Sequence, residues 1–476
     1  MENLNKPSLK LARKRSKKTV EIIRYNNDKS IKNLGLGKKY LIQTHGCQAN
    51  EIDSEILRAM IEEQGYQRTD KVEEASLILI NTCAVREGAE NKVFGELGRL
   101  KSFKKINPDL ILVVSGCMSQ EETTVERILN KYKHVDIVIG THNLDKFIYY
   151  LDKFMKEKKQ IIEVLSEEGK IVENLPHARE NRFKAWVNIM YGCDEFCTYC
   201  IVPYTRGKER SRGKEYIISE VQELVRKGYQ EVTLIGQNVN SYGLDFSDGD
   251  YTFPDLLRDL SKLDIPRIRF TTSHPKDFSD ELINVISECD NIMPYIHLPV
   301  QSGSNKVLNK MNRKYTKEQY LDLVDRIYKK IPEVSITTDI IVGFPTETEE
   351  DFEETIDLVR KAKFEGAYTF VYSKRKGTPA ALYEETVTKE EAKDRLHRLN
   401  KLINEGYLRG NQRFEGKVVQ VLVEGYSKTN KNVLSGYTEN NKLVNLSIDQ
   451  KMIGKIVPVK ITKAKTWSLD GEYFPG

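Results

Sequence analysis

Three cysteines in the middle of the chain have a spacing that is typical of an iron–sulfur ligand set. Cys193, Cys197 and Cys200 follow the apolar run 186–190 in a C-x3-C-x2-C pattern. Three thiolates hold three irons of a 4Fe-4S cubane, whereas a closed cluster needs four cysteines. The fourth iron is then open to a small molecule, as the open position of a catalytic zinc is open to substrate. The pattern predicts catalysis at this loop.

The same loop resembles the radical S-adenosylmethionine (SAM) signature, because an aromatic residue, Tyr199, precedes the last cysteine. In that signature SAM chelates the open iron. A structural zinc site is the alternative, but it usually takes a fourth ligand from a nearby Cys or His, often in a second C-x2-C pair. No cysteine follows Cys200 until Cys289, which favours the cluster.

Length and composition predict a soluble globular protein of two to four domains. The chain has 476 residues, 39% of them hydrophobic, and a formal net charge of +5, which is too mild to indicate a nucleic-acid partner by itself. Seven cysteines without a secretory signal favour a reducing compartment and metal-ligand thiols over a disulfide scaffold. No stretch approaches a membrane span. We expect a cytoplasmic protein.

Residues 1–37 are predicted to form a disordered basic arm. Within the arm, a run rich in Lys and Arg is followed by a polar, Asn-rich segment. Three interpretations of the arm remain open: it contacts RNA phosphates, it is only a solvated tail, or it is an organellar transit peptide. Its basic residues include Lys10, Arg13, Lys14, Arg15, Lys17 and Lys18.

The region 38–155 repeats a strand, a turn and a helix, and a cysteine follows each of three strands. Cys47, Cys83 and Cys117 each come just after a short apolar run. In an open parallel α/β sheet the carboxyl ends of the strands lie at one edge, so these thiols are expected to converge. They predict a second 4Fe-4S cluster with an open iron. The alternative is three unrelated buried cysteines.

Between residues 180 and 410, strand and helix patterns alternate six times, which predicts a partial (βα)6 barrel with parallel strands. The last helix is expected to begin with a capping box in the run 346–349. Cys289 is predicted to be a small buried hydrophobe within a helix. The expected strands are 184–190, 231–236, 267–272, 295–300, 335–342 and 366–372, and the expected helices include 214–227, 253–263, 280–289, 316–330 and 347–361.

Polar and glycine-containing segments follow the predicted barrel strands, where active sites of βα-barrels are built. We expect several of them to line the SAM and substrate pocket. His274 and His297 are interpreted as structural rather than catalytic residues. The candidate cofactor-binding residues are Tyr199, Gln237, Asn238, Ser273, Gln301 and Gly343.

The tail, residues 411–476, has short alternating runs in place of helical periodicity. Such runs at 417–423, 432–437, 442–446 and 455–461 predict a small β-barrel of OB-like type, a fold that often binds oligonucleotides. Its Lys and Tyr residues are compatible with backbone contacts and base stacking.

These regions together resemble the methylthiotransferases, a family of radical SAM enzymes, from Lys38 to the end of the chain. Within the family, the run 83–93 and the run 200–207 are similar to the MiaB-type tRNA-2-methylthio-N(6)-dimethylallyladenosine synthases, and the tail is similar to their TRAM RNA-binding domain. Two residues depart from that pattern, Ala49 in place of Met and Tyr437 in place of Arg. The motifs that carry the resemblance are Thr44-His45-Gly46-Cys47-Gln48, Asn81-Thr82-Cys83-Ala84-Val85-Arg86-Glu87, Ser115-Gly116-Cys117, the loop 193–200 and Leu298-Pro299-Val300-Gln301-Ser302-Gly303-Ser304.

The resemblance implies a two-cluster mechanism on isopentenyladenosine beside the tRNA anticodon. One SAM methylates a sulfur associated with the cluster on Cys47, Cys83 and Cys117. A second SAM, cleaved at the central cluster, yields a radical that abstracts hydrogen from carbon 2 of the adenine, which then receives the methylthio group. The implied partners are tRNA carrying isopentenyladenosine and a low-potential electron donor such as flavodoxin or ferredoxin. A monomer without membrane contact is expected.

Other functions remain open at this point. Two lie within the family: modification of threonylcarbamoyladenosine in tRNA and of an aspartate in a ribosomal protein. The run Ala84-Val85-Arg86-Glu87 speaks against both. An Fe–S electron carrier or an RNA-binding scaffold belongs to another class, but a carrier usually closes its clusters with four ligands. Two three-cysteine sites therefore favour an enzyme.

Overall fold

A computed structural model describes residues 5–14, 20–26, 29–84, 87–166, 170–247, 249–428 and 430–475. The chain divides into two units. The first unit comprises Met1–Glu180, Met190–Phe196 and Cys200–Tyr216, and the second comprises Asn181–Ile189, Cys197–Tyr199 and Ile217–Gly476. Some residues used in the predictions lie outside the described part of the chain: Arg15, Lys17, Lys18, Val85 and Arg86.

Helices occur in both units, and their bounds agree with most of the predicted helical patterns. Within the described residues no helix is both long and apolar enough to cross a membrane. In chain order the helices are α1 (Leu9–Lys14), α2 (Gln48–Glu63), α3 (Glu87–Ile106), α4 (Glu122–Lys131), α5 (Phe147–Glu157), α6 (Val202–Thr205), α7 (Lys214–Arg226), α8 (Phe253–Ser261), α9 (Asp280–Glu288), α10 (Asn305–Lys310), α11 (Lys317–Lys330), α12 (Glu349–Ala362) and α13 (Lys389–Gln412).

The strands form several sheets and one closed barrel. In chain order they are β1 (Ile22–Arg24), β2 (Lys39–His45), β3 (Gln67–Arg68), β4 (Leu77–Thr82), β5 (Ile111–Ser115), β6 (Ile137–Ile139), β7 (Ile161–Glu163), β8 (Ile171–Glu173), β9 (Lys184–Asn188), β10 (Met190–Tyr191), β11 (Arg210–Ser211), β12 (Glu231–Ile235), β13 (Arg267–Phe270), β14 (Tyr295–His297), β15 (Ser335–Val342), β16 (Ala367–Val371), β17 (Val418–Tyr426), β18 (Leu434–Thr438), β19 (Leu443–Ser447), β20 (Ile456–Ala464) and β21 (Leu469–Tyr473).

The first unit is built on a six-stranded parallel sheet in the order β3-β2-β4-β5-β6-β7. Strands β4 and β5 are buried along their whole length, which explains their uninterrupted apolar runs, because helices cover both faces of such a sheet. Apolar side chains of β4, β5, α3 and α4 form one continuous core. The predicted open parallel α/β sheet is confirmed.

The N-terminal arm contains regular structure, so the prediction of disorder is wrong for two of its segments. Helix α1 buries Ala12 in a cluster with Ala84, Cys117 and Tyr204. Strand β1 pairs in parallel with β8. Both segments are held by packing against residues far along the chain, which a local reading of charge does not reveal.

The second unit contains the predicted partial barrel. Strands β9, β12 and β13 form one parallel sheet and β14, β15 and β16 another. The backbone around Ile292 bridges to Ile268 of β13, just before β14 begins. Six parallel strands alternating with helices confirm the (βα)6 prediction.

Two details of the predicted helices are wrong. The capping box of α12 is formed by Thr348 and Asp351, whereas Thr346 lies in a left-handed turn with φ 73° before the helix. Glu347 lies before the N-cap residue Thr348 and is therefore outside the helix. Its side chain is buried and pairs with Arg395. Cys289 follows the end of α9 and is half-buried, not fully buried within the helix.

The tail forms a closed five-stranded barrel in the order β17-β18-β19-β21-β20, here called the tail barrel. Its core consists of alternating inward side chains from all five strands. The prediction of a small β-barrel is confirmed, although the sequence patterns did not indicate β21. That strand, Leu-Asp-Gly-Glu-Tyr, has too few apolar residues to show an alternation.

A buried charge network joins the tail barrel to the start of the partial barrel. Arg269 donates to Glu231 at 2.9 Å and to the backbone carbonyls of Glu439 and Thr438, both at 2.8 Å. Arg267 donates to the carbonyls of Tyr437 and Gln420, both at 2.9 Å. These charge-assisted hydrogen bonds give tail-barrel carbonyls charged, buried donors from the partial barrel.

Candidate functional site

The three cysteines of the first unit follow adjacent strands whose ends are in register. Cys47 follows β2, Cys83 follows β4 and Cys117 follows β5. Thr44 of β2 pairs with Asn81 of β4, which pairs in turn with Ser115 of β5. The strands therefore end level with one another, and each cysteine leaves the sheet at the same edge.

Two asparagines link the loops that carry these cysteines. Asn50 accepts a hydrogen bond from the Cys47 backbone at 3.4 Å through Oδ1, and its Nδ2 donates to Asn81 Oδ1 at 3.0 Å. Asn81 Nδ2 donates back to the Asn50 carbonyl at 2.8 Å. Gly116 has φ 98°, and a Cβ there would lie 2.3 Å from Asn81 Oδ1. The packing leaves room only for glycine before Cys117.

The thiols of this site have unequal environments. Cys83 and Cys117 are buried, whereas Cys47 is half-buried. A hydrogen bond with Cys83 and, after the opposing effect of burial, the charge of Arg206 lower the pKa of Cys47 to about 5. Burial raises the pKa of Cys117 despite the nearby Arg206. Thiolate is the form that binds metal, so the lowered pKa favours metal binding by Cys47.

Arg206 is a buried cation within this site. Its Nε donates to Cys117 Sγ at 3.1 Å, and its Nη2 donates to Asp53 Oδ2 at 2.6 Å. Burial opposes the positive charge, but Asp53 and the thiols outweigh burial and raise the pKa of Arg206. The guanidinium is therefore charged and fixed between helix α2 and the Cys117 loop.

Buried hydroxyls beside these cysteines have no hydrogen-bond partner among the described residues. They are Thr82 Oγ1, Ser115 Oγ and Ser119 Oγ, each within two residues of Cys83 or Cys117. A buried donor without a partner costs about 1–3 kcal/mol, so such groups commonly face a ligand or water. Three thiols, three hydroxyl donors and one cation fit an anionic iron–sulfur cluster.

The central cysteines are distributed between the two units. Cys193 and Cys200 belong to the first unit, where the Cys193 backbone donates to the Gly207 carbonyl at 3.1 Å. Cys197 belongs to the second unit and accepts a hydrogen bond from Arg313 Nη1 at 3.4 Å.

Arg313 is buried and ties Cys197 to the partial barrel. It also donates to the Pro299 carbonyl, after β14, at 2.9 Å, and to Tyr315 Oη at 2.8 Å. Tyr315 in turn donates to the Val300 carbonyl. The thiol of Cys197 is thereby held at the carboxyl end of a barrel strand.

Two of the predicted SAM residues present unsatisfied polar atoms after neighbouring strands. Asn238, after β12, donates through Nδ2 to Asp277 at 2.9 Å, while its Oδ1 is buried without a partner among the described residues. Ser273 Oγ, after β13, is likewise buried and unpartnered in the described part of the chain. The two loops are joined because Asn240 and His274 exchange hydrogen bonds of 2.8 Å. These atoms suit a polar ligand such as SAM.

The other predicted cofactor residues are Tyr199, Gln237, Gln301 and Gly343. Gln301 has φ 71° and bridges to β15, and Gly343 has φ 69° and donates to Glu347 at 2.9 Å. Tyr199 packs against a buried cluster around Phe344. Gln237 is half-buried.

The two histidines that were interpreted as structural have hydrogen-bond partners, and their role stays a prediction. His274 is buried, and its Nδ1 accepts a hydrogen bond from the Lys276 backbone at 3.3 Å. Burial lowers the pKa of His274 to about 2, so the ring is neutral. His297 pairs with Thr337 at 3.0 Å and with Asp339 at 3.4 Å.

Sequence reasoning missed the two arginines that donate to thiols, Arg206 and Arg313. Arg206 stands within the quoted run after Cys200, but its partner Cys117 is 89 positions away. The signal in the sequence was a charged residue shortly after the largely apolar run Ile201-Val202-Pro203-Tyr204. Of the two departures from the family pattern, Ala49 is buried in α2, and Tyr437 is half-buried with Lys184 Nζ 5.5 Å from its ring centroid.

Family models match all three predicted regions. Residues 39–140 match the Uncharacterized protein family UPF0004, residues 187–359 the Radical SAM superfamily, and residues 412–474 the TRAM domain. A tRNA-2-methylthio-N(6)-dimethylallyladenosine synthase of Oceanobacillus iheyensis is 56% identical over 98% of this chain and 90% of its own length. The Bacillus subtilis protein of the same name is also 56% identical, over 98% of this chain and 92% of its own length.

The chain belongs to the tRNA-2-methylthio-N(6)-dimethylallyladenosine synthase family. The family resemblance predicted from the cysteine motifs is thus confirmed. Among solved structures, the radical SAM methyltransferase TsrM from Kitasatospora setae aligns with a TM-score of 0.53 and 12% identity over 72% of this chain and 75% of that one. This likeness supports the radical SAM fold of the synthase family member described here.

Proposed function

We propose that this chain converts N(6)-isopentenyladenosine beside the anticodon of tRNA to its 2-methylthio derivative by radical SAM chemistry. The observation that carries the proposal is the set of three level strand ends bearing Cys47, Cys83 and Cys117, in a chain 56% identical to synthases named for this reaction. The alternatives of threonylcarbamoyladenosine or a ribosomal protein find no support in those relatives.

Six cysteines hold the two 4Fe-4S clusters in this proposal. Cys193, Cys197 and Cys200 bind the cluster to which SAM binds. The second set, Cys47, Cys83 and Cys117, binds an auxiliary cluster near which the sulfur is methylated. When bound, the clusters and SAM would supply the methyl group and the radical needed at an unactivated C–H bond.

The protein's own contribution is to hold and shield these groups. Arg313 fixes the Cys197 thiol, and Arg206 fixes the Cys117 thiol. Asn238 and Ser273 offer the unpartnered polar atoms described above to SAM. Each of these residues is buried, which keeps water away from the reacting groups.

Iron content tests the cluster assignment. Anaerobic reconstitution should give about eight irons per chain, and the Cys47→Ala, Cys83→Ala, Cys117→Ala triple variant should keep about four. That variant should still cleave SAM when reduced, whereas Cys197→Ala should not. Eight irons in the triple variant would overturn the auxiliary assignment.

The tail barrel is proposed to contact the tRNA backbone. Lys460 and Lys463 are exposed on β20 and make none of the hydrogen bonds of the buried charge network. Because deletion of the tail would strip Arg267 and Arg269 of their partners, substitution is the cleaner test. Lys460→Ala with Lys463→Ala should weaken tRNA binding and reduce its salt dependence, because phosphate contacts release counterions. An unchanged salt slope would contradict this surface.

We further propose a low-potential flavodoxin or ferredoxin as electron donor and a monomeric state. Reduction of the reconstituted chain by each donor, and light scattering of the purified chain, test these points. Nucleosides from cells lacking the protein should lose the 2-methylthio derivative and accumulate isopentenyladenosine.

A further inference from the structure

Arg206 occupies an unusual position for a buried arginine. Only 4% of its surface is exposed, and its carboxylate partner, Asp53, is 3% exposed. The guanidinium does not end at this ion pair, because its Nε continues to Cys117 Sγ at 3.1 Å. A simple structural salt bridge does not require a donor aimed at a thiol.

The surroundings fix the direction of that donor. Asp53 accepts at 2.6 Å from Nη2 and belongs to α2, the helix that starts immediately after Cys47. The Arg206 backbone is held by its amide, which donates to the Val202 carbonyl at 2.8 Å, and by Thr141 Oγ1, which donates to the Thr205 carbonyl at 2.8 Å. Both ends of the arginine are therefore anchored, so its Nε cannot turn away from the sulfur without breaking other bonds.

We propose that Arg206 is a positioning residue that holds Cys117 and raises the reduction potential of the auxiliary cluster. The inference rests on the proposed function, because it requires the cluster on Cys47, Cys83 and Cys117. One-electron reduction makes a cluster more negative, and a hydrogen-bonded cation at a ligand sulfur stabilises that state. Burial strengthens the effect, since screening by water is weak there.

The segment from Cys200 to Arg206 contributes a residue to each of the two proposed clusters. Cys200 is a ligand of the central cluster in the proposal, and Arg206, six residues later, donates a hydrogen bond to Cys117, a ligand of the auxiliary cluster. Helix α6 lies between them and fixes their spacing. One short segment thus contributes to both proposed clusters.

The test uses the full-length chain with Cys193, Cys197 and Cys200 replaced by Ala, so that only the auxiliary cluster remains. Arg206→Lys and Arg206→Ala are compared in this background after anaerobic reconstitution. Arg212→Lys and Arg212→Ala serve as matched controls, because Arg212 is also buried and pairs with a carboxylate, Glu173, at 2.6 Å. Iron content and the midpoint potential are measured, the latter by electron paramagnetic resonance during titration with dithionite.

Arg206→Ala should keep about four irons per chain and lower the ratio of reduced to oxidised cluster at a given potential by about tenfold, equivalent to a midpoint about 59 mV lower for a one-electron couple. Arg206→Lys, which keeps a cation but not the fixed Nε donor, should fall between the parent and Arg206→Ala. The Arg212 variants should retain the parent potential. Loss of iron in Arg206→Ala alone also supports the assignment, because Cys117 would no longer be held.

A parent midpoint in Arg206→Ala with full iron content would overturn the inference. Equal loss of iron in Arg206→Ala and Arg212→Ala would overturn it as well, because it would mark a general effect of removing a buried arginine. If the parent background itself binds no iron, the auxiliary cluster fails and with it the proposed function. That outcome is distinct from an unchanged potential.

Discussion

Arg269 is the residue whose replacement tests how the tail barrel is held on the partial barrel. Its side chain is 6% exposed, and it makes three hydrogen bonds, one to Glu231 and two to tail-barrel carbonyls. Replacement by Met keeps most of the side-chain volume and removes the charge. Arg269→Met therefore isolates the polar contribution.

The expected loss in free energy of unfolding depends on which partners Glu231 and the tail-barrel carbonyls keep in Arg269→Met. Removing one partner of a buried ion pair costs about 3–5 kcal/mol. Glu231 would keep Lys184 at 3.3 Å and Arg267 at 3.9 Å, which reduces the loss. The carbonyls of Thr438 and Glu439 would lose charged donors, which adds to it. We expect the free energy of unfolding to fall by about 3 kcal/mol, near the lower end of that range.

Thermal unfolding of the reconstituted full-length chain measures this loss. A decrease of 3 kcal/mol should lower Tm by roughly 6–12 °C for a unit of this size. Arg398→Met is the matched control, because Arg398 is 37% exposed and its pairs with Glu349 and Glu353 lie at the surface. Such pairs contribute about 0–1 kcal/mol. Equal Tm shifts in the two variants would show that Arg269 does not hold the tail barrel on the partial barrel. Unchanged protease resistance of the junction before β17 in Arg269→Met would show the same.

Two further predictions concern the cysteine site and pH. Gly116→Ala should lower the iron content and reduce the free energy of unfolding by more than about 1 kcal/mol, because φ is 98° and the new Cβ would meet Asn81 and the Thr82 carbonyl. Gly95→Ala is the control, because Gly95 lies in α3 with open space around it, and this variant should be neutral or stabilising. Equal iron loss in both variants would contradict the packing argument. Burial alone would raise the pKa of Glu231, but Arg269 and Lys184 hold this pKa below the ordinary 4.5. The contribution of the Glu231 carboxylate to the free energy of unfolding is therefore present above pH 4.5 and is lost as the pH falls through the lowered pKa. In urea unfolding, the difference in free energy of unfolding between wild type and Glu231→Gln should become smaller below pH 4.5. A difference that does not change with pH would contradict the stabilising role of the Glu231 carboxylate.

The strand ends that bear the auxiliary cysteines could be predicted from sequence, because each cysteine follows an apolar run of a repeated unit. Parallel strands in a covered sheet produce such runs, and their carboxyl ends share an edge. The same logic located the central barrel strands. It failed for β21, whose Asp470 and Gly471 hide the alternation, and for α12, where two Thr residues offered competing caps.

The polar contacts within the site were beyond sequence reasoning. Arg206 meets Asp53 across 153 positions, and Arg313 meets Cys197 across 116. Neither pairing follows from periodicity or local propensity, because each depends on tertiary packing. The ordering of α1 has the same origin, since Ala12 is buried against residues from distant segments.

The proposed reaction is methylthiolation of isopentenyladenosine in tRNA by a chain that uses two three-cysteine sites. Its most direct test is nucleoside mass analysis after incubating the reconstituted chain with such a tRNA, SAM and a low-potential reductant. Wild type should form 2-methylthio-isopentenyladenosine, whereas the Cys47→Ala, Cys83→Ala, Cys117→Ala variant should cleave SAM without forming it. Methylthiolated product from that variant, or none from wild type with both clusters loaded, would contradict the account.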